Sequence, residues 1–139
     1  MAQAAVAIDL AVPADEVWDL IGGFGSLPDW QPNIPRLELS EGGRVRRFTI
    51  DGSPIAERLV AFDHLGRSYT YTILEAPLPI TDYLSTLRVR EIDGGNGARV
   101  EWFGEFAPNG VSIDQATAAV LGIYEEGLKA LGERGASET

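Results

Sequence analysis

The stretch SIDQATAAVLGIYEEGLKAL, Ser112 to Leu131, reads as one helix. Ser112 with Gln115 three residues on is a capping-box signal, and Gly132 stands where a stop is expected. Ile113, Thr117, Val120, Tyr124, Leu128 and Leu131 recur at helical spacing on one face, while Asp114, Gln115, Glu126 and Lys129 lie mostly away from it. Ala116, Thr117 and Gly127 sit on or beside the apolar face. Small residues there allow a close approach, by a packed strand first and by a ligand second.

Working back from this helix, Leu37 to Phe106 reads as strands. Leu37–Leu39 is short. Val45–Ile50 and Ile55–Phe62 flank Asp51-Gly52-Ser53-Pro54, a hairpin loop. Ser68–Leu74 follows the turn at His64-Leu65-Gly66, and Thr81–Ile92 is long. Asp93-Gly94-Gly95-Asn96-Gly97 is a strong turn signal before the last strand, Ala98–Phe106. Upstream, Val6, Ile8, Leu10 and Val12 alternate with smaller or polar residues as a first strand, which Pro13 stops. Pro13-Ala14-Asp15-Glu16 opens a helix ended by Gly22-Gly23, and Phe24–Trp30 adds a second short helical turn. These two helices form a V expected to support the underside of the sheet. The tail Gly135–Thr139 is expected to fray. The order is strand, two helices, six strands, long helix: an α+β chain with an antiparallel meander, expected to form a single domain over residues 1–139.

Side-chain parity assigns the faces. Tyr83, Ser85, Leu87 and Val89 match Val100, Trp102 and Phe106 as the inner face. Propagating the register adds Tyr69, Tyr71 and Ile73, then Glu57, Leu59 and Ala61, then Arg46, Phe48 and Ile50. Thr86, Arg88, Arg90, Arg99, Glu101 and Glu105 face water. Val60, Phe62 and Phe103 fall on the outer face, where packing by the first two helices would cover them. Arg46 and Glu57 therefore land on an otherwise apolar and aromatic interior, within reach of each other across a strand-to-strand diagonal.

An inward Arg and Glu must be paired or wet, because an unpaired buried charge costs several kcal/mol. Two readings stay open. Either the pair is a salt bridge at a sheet edge, or a register slip returns one charge to solvent, and it has no further role; or both groups line a cavity between sheet and helix and orient a ligand together with Tyr71, Tyr83 and Trp102. Arginine can hold a carboxylate, phenolate or enolate. Glu57 is the candidate catalytic acid or base, with desolvation raising its pKa and Arg46 lowering it. The candidate ligand-binding set is Arg46, Phe48, Glu57, Leu59, Tyr69, Tyr71, Tyr83, Leu87, Trp102, Val120 and Tyr124. The loops around Gly22–Gly25, His64–Arg67 and Ala76–Pro79 are expected to rim the mouth.

Composition narrows the classes. Twenty-one acids against eleven bases give a net charge of -10, which disfavours nucleic acid and anionic membrane as partners. There is no cysteine and a single histidine, His64, placed in a turn, so no metal and no cofactor are expected and a Ser-His-Asp triad is disfavoured. Gly22-Gly23-Phe24-Gly25 lacks a following lysine and ends a helix, so it is no phosphate loop. No signal peptide, and no apolar run long enough to span a bilayer, is visible; a soluble, cytoplasmic protein is expected. The sequence assigns no oligomeric state.

The run Val12-Pro13-Ala14-Asp15-Glu16-Val17-Trp18-Asp19-Leu20-Ile21 with Leu27-Pro28-Asp29-Trp30 resembles the start of the SRPBCC superfamily. So do Gly43-Arg44-Val45-Arg46, Glu57-Arg58-Leu59, Tyr69-Thr70-Tyr71-Thr72-Ile73 and Val100-Glu101-Trp102. This is the START-like, birch-pollen-allergen-like group that includes polyketide cyclase/dehydrase-type proteins. The resemblance implies a helix-grip fold: a curved seven-stranded antiparallel sheet wrapped around the long C-terminal helix, with two short helices after strand 1. It also implies a hydrophobic pocket between sheet and helix. The expected function is binding of a small hydrophobic or aromatic molecule, lipid-like or polyketide-like. The alternatives are a cyclase or dehydratase in which Glu57 moves protons while Arg46 and a tyrosine stabilise an enolate, and a protein-interaction module.

Overall fold

The structure, a computed structural model, describes residues 1–137. Strand β1 (Ala2–Leu10) is followed by helices α1 (Ala14–Ile21) and α2 (Leu27–Trp30). Six strands come next: β2 (Glu38–Ser40), β3 (Val45–Ile50), β4 (Ser53–Asp63), β5 (Ser68–Glu75), β6 (Ile80–Ile92) and β7 (Gly97–Pro108). Helix α3 (Ile113–Ser137) closes the chain. The seven strands make one antiparallel sheet in the order β1-β7-β6-β5-β4-β3-β2. The sheet grips α3 in the helix-grip arrangement.

The capping box forms as read: Gln115 N–H donates to Ser112 Oγ at 3.1 Å, and Ser112 N–H donates to Gln115 Oε1 at 3.0 Å. The buried stripe of α3 is Ala116, Val120, Tyr124, Gly127, Leu128 and Leu131. Ile113 is 59% exposed, because the first turn projects beyond the sheet. Gly132 does not stop the helix, which passes through it to Ser137; a glycine lowers helix propensity but ends a helix only when the chain turns there. Of the tail expected to fray, residues 135–137 are helical, and Glu138 and Thr139 lie outside the described residues.

The sheet departs from the sequence reading in three places. Asp51 and Gly52 both take positive φ (51° and 79°), so the hairpin turn has two residues and Ser53 and Pro54 already belong to β4. The register between β4 and β5 jumps from Leu59↔Tyr71 to Ala61↔Thr70. Val60 is the extra residue of a bulge, and beyond it the parity inverts. Ala61 is therefore exposed, and Phe62, opposite Tyr69, takes the inner parity. A second irregularity sets Glu57 opposite Ile73 and Ala56 opposite Glu75, which leaves Leu74 unpaired.

Both short helices pack on the inner side, not beneath the sheet. Trp18 of α1 lies 5.7 Å from the Phe62 ring, and Trp30 of α2 meets Trp102 edge-on at 6.1 Å. The apolar faces of these helices match the inner face, whereas the outer face is a ladder of charges such as Arg88–Glu101 and Arg99–Asp9. Val60 stays exposed, and Phe103 is shielded instead by the Arg88 guanidinium, 5.2 Å from its ring centroid.

Candidate functional site

Strands β3 and β4 place Arg46 directly opposite Glu57, not on a diagonal. Arg46 Nε donates to Glu57 Oε1 at 2.8 Å, and Arg46 is 1% exposed. Arg46 Nη1 donates to the Phe24 carbonyl at 3.1 Å and to the Tyr69 hydroxyl at 3.2 Å. The rings of Phe24 and Tyr71 cover the guanidinium at 4.2 and 4.8 Å. Desolvation works against this cation, but the surrounding Tyr69, Glu57 and Tyr71 outweigh it, and the Arg46 pKa is raised. Burial also raises the Glu57 pKa, and the attraction and hydrogen bond of Arg46 offset only part of that rise.

Glu57 keeps one oxygen in reserve. Among the described residues Oε2 makes no hydrogen bond, and the one sealed, unpartnered side-chain polar atom is Trp30 Nε1. Oε2 therefore retains open surface. The same holds for the side-chain amide of Gln31, which is 6% exposed at the C-terminus of α2. Gln31 and Glu57 both line a cavity of about 50 Å³. That volume is room for about one or two waters. The walls are Leu27, Ile34, Phe48, Ile55, Ile73 and Ile123, with Tyr71, Tyr83 and Trp102. The cavity opens where β5 and β6 part: their ladder ends at Tyr71↔Ser85, and only Thr72 Oγ1, donating to the Tyr83 carbonyl at 2.6 Å, ties them beyond it.

Behind the aromatic wall runs a chain of hydroxyls whose direction follows from counting protons. Ser85 Oγ lies 3.1 Å from the Phe103 carbonyl, which can only accept, so Ser85 donates there. Its proton spent, Ser85 must accept from Tyr124 at 2.8 Å. Tyr124 then accepts from Tyr83 at 2.6 Å, and Tyr83 accepts from Tyr71 at 3.1 Å. Trp102 Nε1 is shared between Tyr71 and Ser85, 3.1 Å from each. All four hydroxyl protons are committed. Burial raises the pKa of Tyr71 and Tyr83 well above the usual phenol value, and that of Tyr124 to about 12. Two glycines make the chain possible. A Cβ on Gly104 would lie 2.6 Å from the Tyr124 hydroxyl, and one on Gly127 would lie 2.6 Å from the Trp102 ring. The small residue on α3 thus receives a strand side chain.

Of the sequence candidates, Arg46, Phe48, Glu57, Tyr71, Tyr83 and Trp102 line the cavity. Tyr69 touches Arg46 from outside it, and Tyr124 stands one hydroxyl behind, stacked on Trp102 at 4.5 Å. Leu87 and Val120 are core, and Leu59 is half-buried opposite Tyr71. Gln31 escaped sequence reasoning, since a single polar residue before Pro32 reads as loop. Of the expected rim, Ala76 and Leu78 do border the cavity, and the 22–25 loop supplies Phe24 to Arg46. His64 instead accepts from Trp18 Nε1 at 3.1 Å.

A wider trough of about 600 Å³ lies on the outer face between β1, β6 and β7. It is open to solvent, and its Arg88 and Glu101 are spent on each other. Among the described residues no cluster of acids and histidine could hold a metal, and no helix is long and apolar enough to cross a membrane.

A curved sheet gripping a C-terminal helix, with a cavity between them, is the START-like fold. The chain belongs to the family described as polyketide cyclase / dehydrase and lipid transport, which it matches over residues 1–135. An uncharacterised protein from Bacillus thuringiensis is 47% identical, with a TM-score of 0.94 over 96% of this chain and 98% of that one. The protein XoxI from Bacillus cereus is also 47% identical, with a TM-score of 0.93 over 96% and 95%. A START superfamily protein from Mycobacterium smegmatis shares the fold across the full length of both chains at 13% identity and a TM-score of 0.78.

Proposed function

We propose that this protein binds a small hydrophobic or aromatic molecule, lipid-like or polyketide-like, between sheet and α3. One observation carries the reading: an apolar and aromatic cavity onto which two buried polar groups without protein partners, Glu57 Oε2 and the Gln31 amide, converge. The 50 Å³ space is smaller than such a ligand. A ligand of about ten heavy atoms needs an outward shift of α2 and of the Ala76–Leu78 connection, segments held by few backbone bonds to the sheet. The test is thermal unfolding with a panel of aromatic and polyketide-like compounds. A binder at about a hundredfold its Kd stabilises by about 2.7 kcal/mol. A melting temperature unmoved by every compound, in protein shown to be ligand-free, overturns the reading.

The cyclase alternative has one observation in its favour, the raised pKa of Glu57, which suits a proton carrier. It also needs donors for an enolate. Arg46 Nε and Nη1 and the Tyr71 and Tyr83 protons are engaged inside the protein, which leaves Arg46 Nη2 as the one donor of that set without a bond among the described residues. Glu57→Gln separates the two readings: turnover lost with binding retained favours the enzyme.

A further inference from the structure

The geometry points to a neutral hydroxyl, a phenol or alcohol, as the polar group the cavity selects. This rests on the binding reading above. Glu57 Oε2 is an open acceptor, because Arg46 engages only Oε1. The Gln31 amide supplies an open donor and a second acceptor. Both line the same cavity of about 50 Å³, which puts both on the surface that a bound polar group would meet. A hydroxyl oxygen donates one proton and accepts another, and it satisfies both groups at once: its O–H goes to Glu57 Oε2 and its lone pair takes the Gln31 N–H.

The rest of the wall sharpens the choice by what it withholds. Arg46 is the one cation bordering the cavity; three hydrogen bonds take up its Nε and Nη1, its charge is paired with Glu57, and only Nη2 makes no bond among the described residues. The hydroxyl chain spends the protons of Tyr71 and Tyr83 inward, so neither offers a donor. A carboxylate would have to share, through Arg46 Nη2, a cation already neutralised by Glu57, and two like charges on one cation in a desolvated site repel. An ether or ketone accepts from Gln31 but leaves Glu57 Oε2 buried and unpartnered, the situation that makes a polar pocket discriminate steeply.

The experiment uses three matched compounds, 4-ethylphenol, its methyl ether and 4-ethylbenzoate, titrated calorimetrically into the wild-type chain and the Gln31→Leu variant at pH 7. Wild type is expected to bind the phenol at least tenfold tighter than the ether and to give no heat with the benzoate. Gln31→Leu is expected to weaken phenol and ether by similar factors, because both accept from the Gln31 N–H, and to leave the phenol–ether gap, which Glu57 Oε2 sets, in place. Equal affinity for phenol and ether, or binding of the benzoate, overturns the hydroxyl preference and leaves the binding reading standing. Silence from all three, together with an unmoved melting temperature across the wider panel, overturns both. Should Gln31→Leu fold poorly, Gln31→Glu serves: a second carboxylate must weaken the phenol and keep the benzoate out.

Discussion

The Arg46–Glu57 pair makes an asymmetric prediction. Glu57→Leu leaves a guanidinium that cannot shed its proton, so no titration within the pair relieves this variant between pH 5 and 8. Breaking a buried pair from one side costs about 3–5 kcal/mol. Arg46 keeps the Phe24 carbonyl, the Tyr69 hydroxyl and two aromatic faces, which places this variant at the low end, about 3 kcal/mol. Arg46→Met strands a carboxylate and also orphans the Phe24 carbonyl, so at pH 7.5 it lies at the high end, about 5 kcal/mol. That carboxylate can neutralise itself. Its folded pKa already lies above the ordinary value, and loss of the cation lifts it further. A carboxyl raised in the folded state loses stability as pH rises from the unfolded value through the folded one, so Arg46→Met recovers on going from pH 7.5 to 5. The double variant removes both charges and returns to within about 1 kcal/mol of wild type, or above it. Urea unfolding of all four proteins at both pH values reads the cycle directly. Additive single costs in the double variant, or an Arg46→Met cost that ignores pH, would show that these two side chains are not the coupled buried unit described.

Other perturbations test the surroundings. Gly127→Ala drives a methyl to 2.6 Å from the Trp102 ring and should cost about 1–3 kcal/mol in urea, with a changed tryptophan emission. Tyr83→Phe cuts the hydroxyl chain, leaves the Tyr71 proton without an acceptor, and should cost about 1–3 kcal/mol, whereas Ser112→Ala loses only a cap worth about 1 kcal/mol. Tyr124, raised to about 12 chiefly by burial, binds its proton more tightly folded than unfolded. Its contribution is intact below pH 10 and is lost as pH climbs through 12, about 3 kcal/mol in all. Absorbance at 295 nm alongside unfolding should show both changes, and Tyr124→Phe should flatten the alkaline limb.

The meander, its order and the inward Arg46 and Glu57 were legible because alternation and turn chemistry are local signals. What escaped was set by three-dimensional packing. Nothing in Leu59-Val60-Ala61 announces a bulge, since β-branched and small residues suit either parity; the bulge exists because it brings Phe62 to Trp18. Gly132 reads as a stop by propensity, but packing of Leu131 and Leu128 carries the helix past it. The apolar side of α1 was readable, but not the face of the sheet it would choose. Gln31 could be found only once α2 was laid against Trp102. The proton direction of the tyrosine chain needs distances, because sequence supplies hydroxyls without an order.

The pairing of β1 with β7 sets a timetable for biosynthesis. Leu10 finds its partner only at Ala98, and Ala2 only at Phe106. With a ribosome adding about 5–20 residues per second, β1 waits on the order of 5–20 s, while the β3–β6 meander can close through local hairpins as it emerges. During that wait a nine-residue strand has a bare backbone edge in a crowded cell. Its composition suits the delay: four of the nine residues are alanine, Gln3 sits among them, and Asp9 separates Ile8 from Leu10. Such a segment offers little to stick to before its partner arrives.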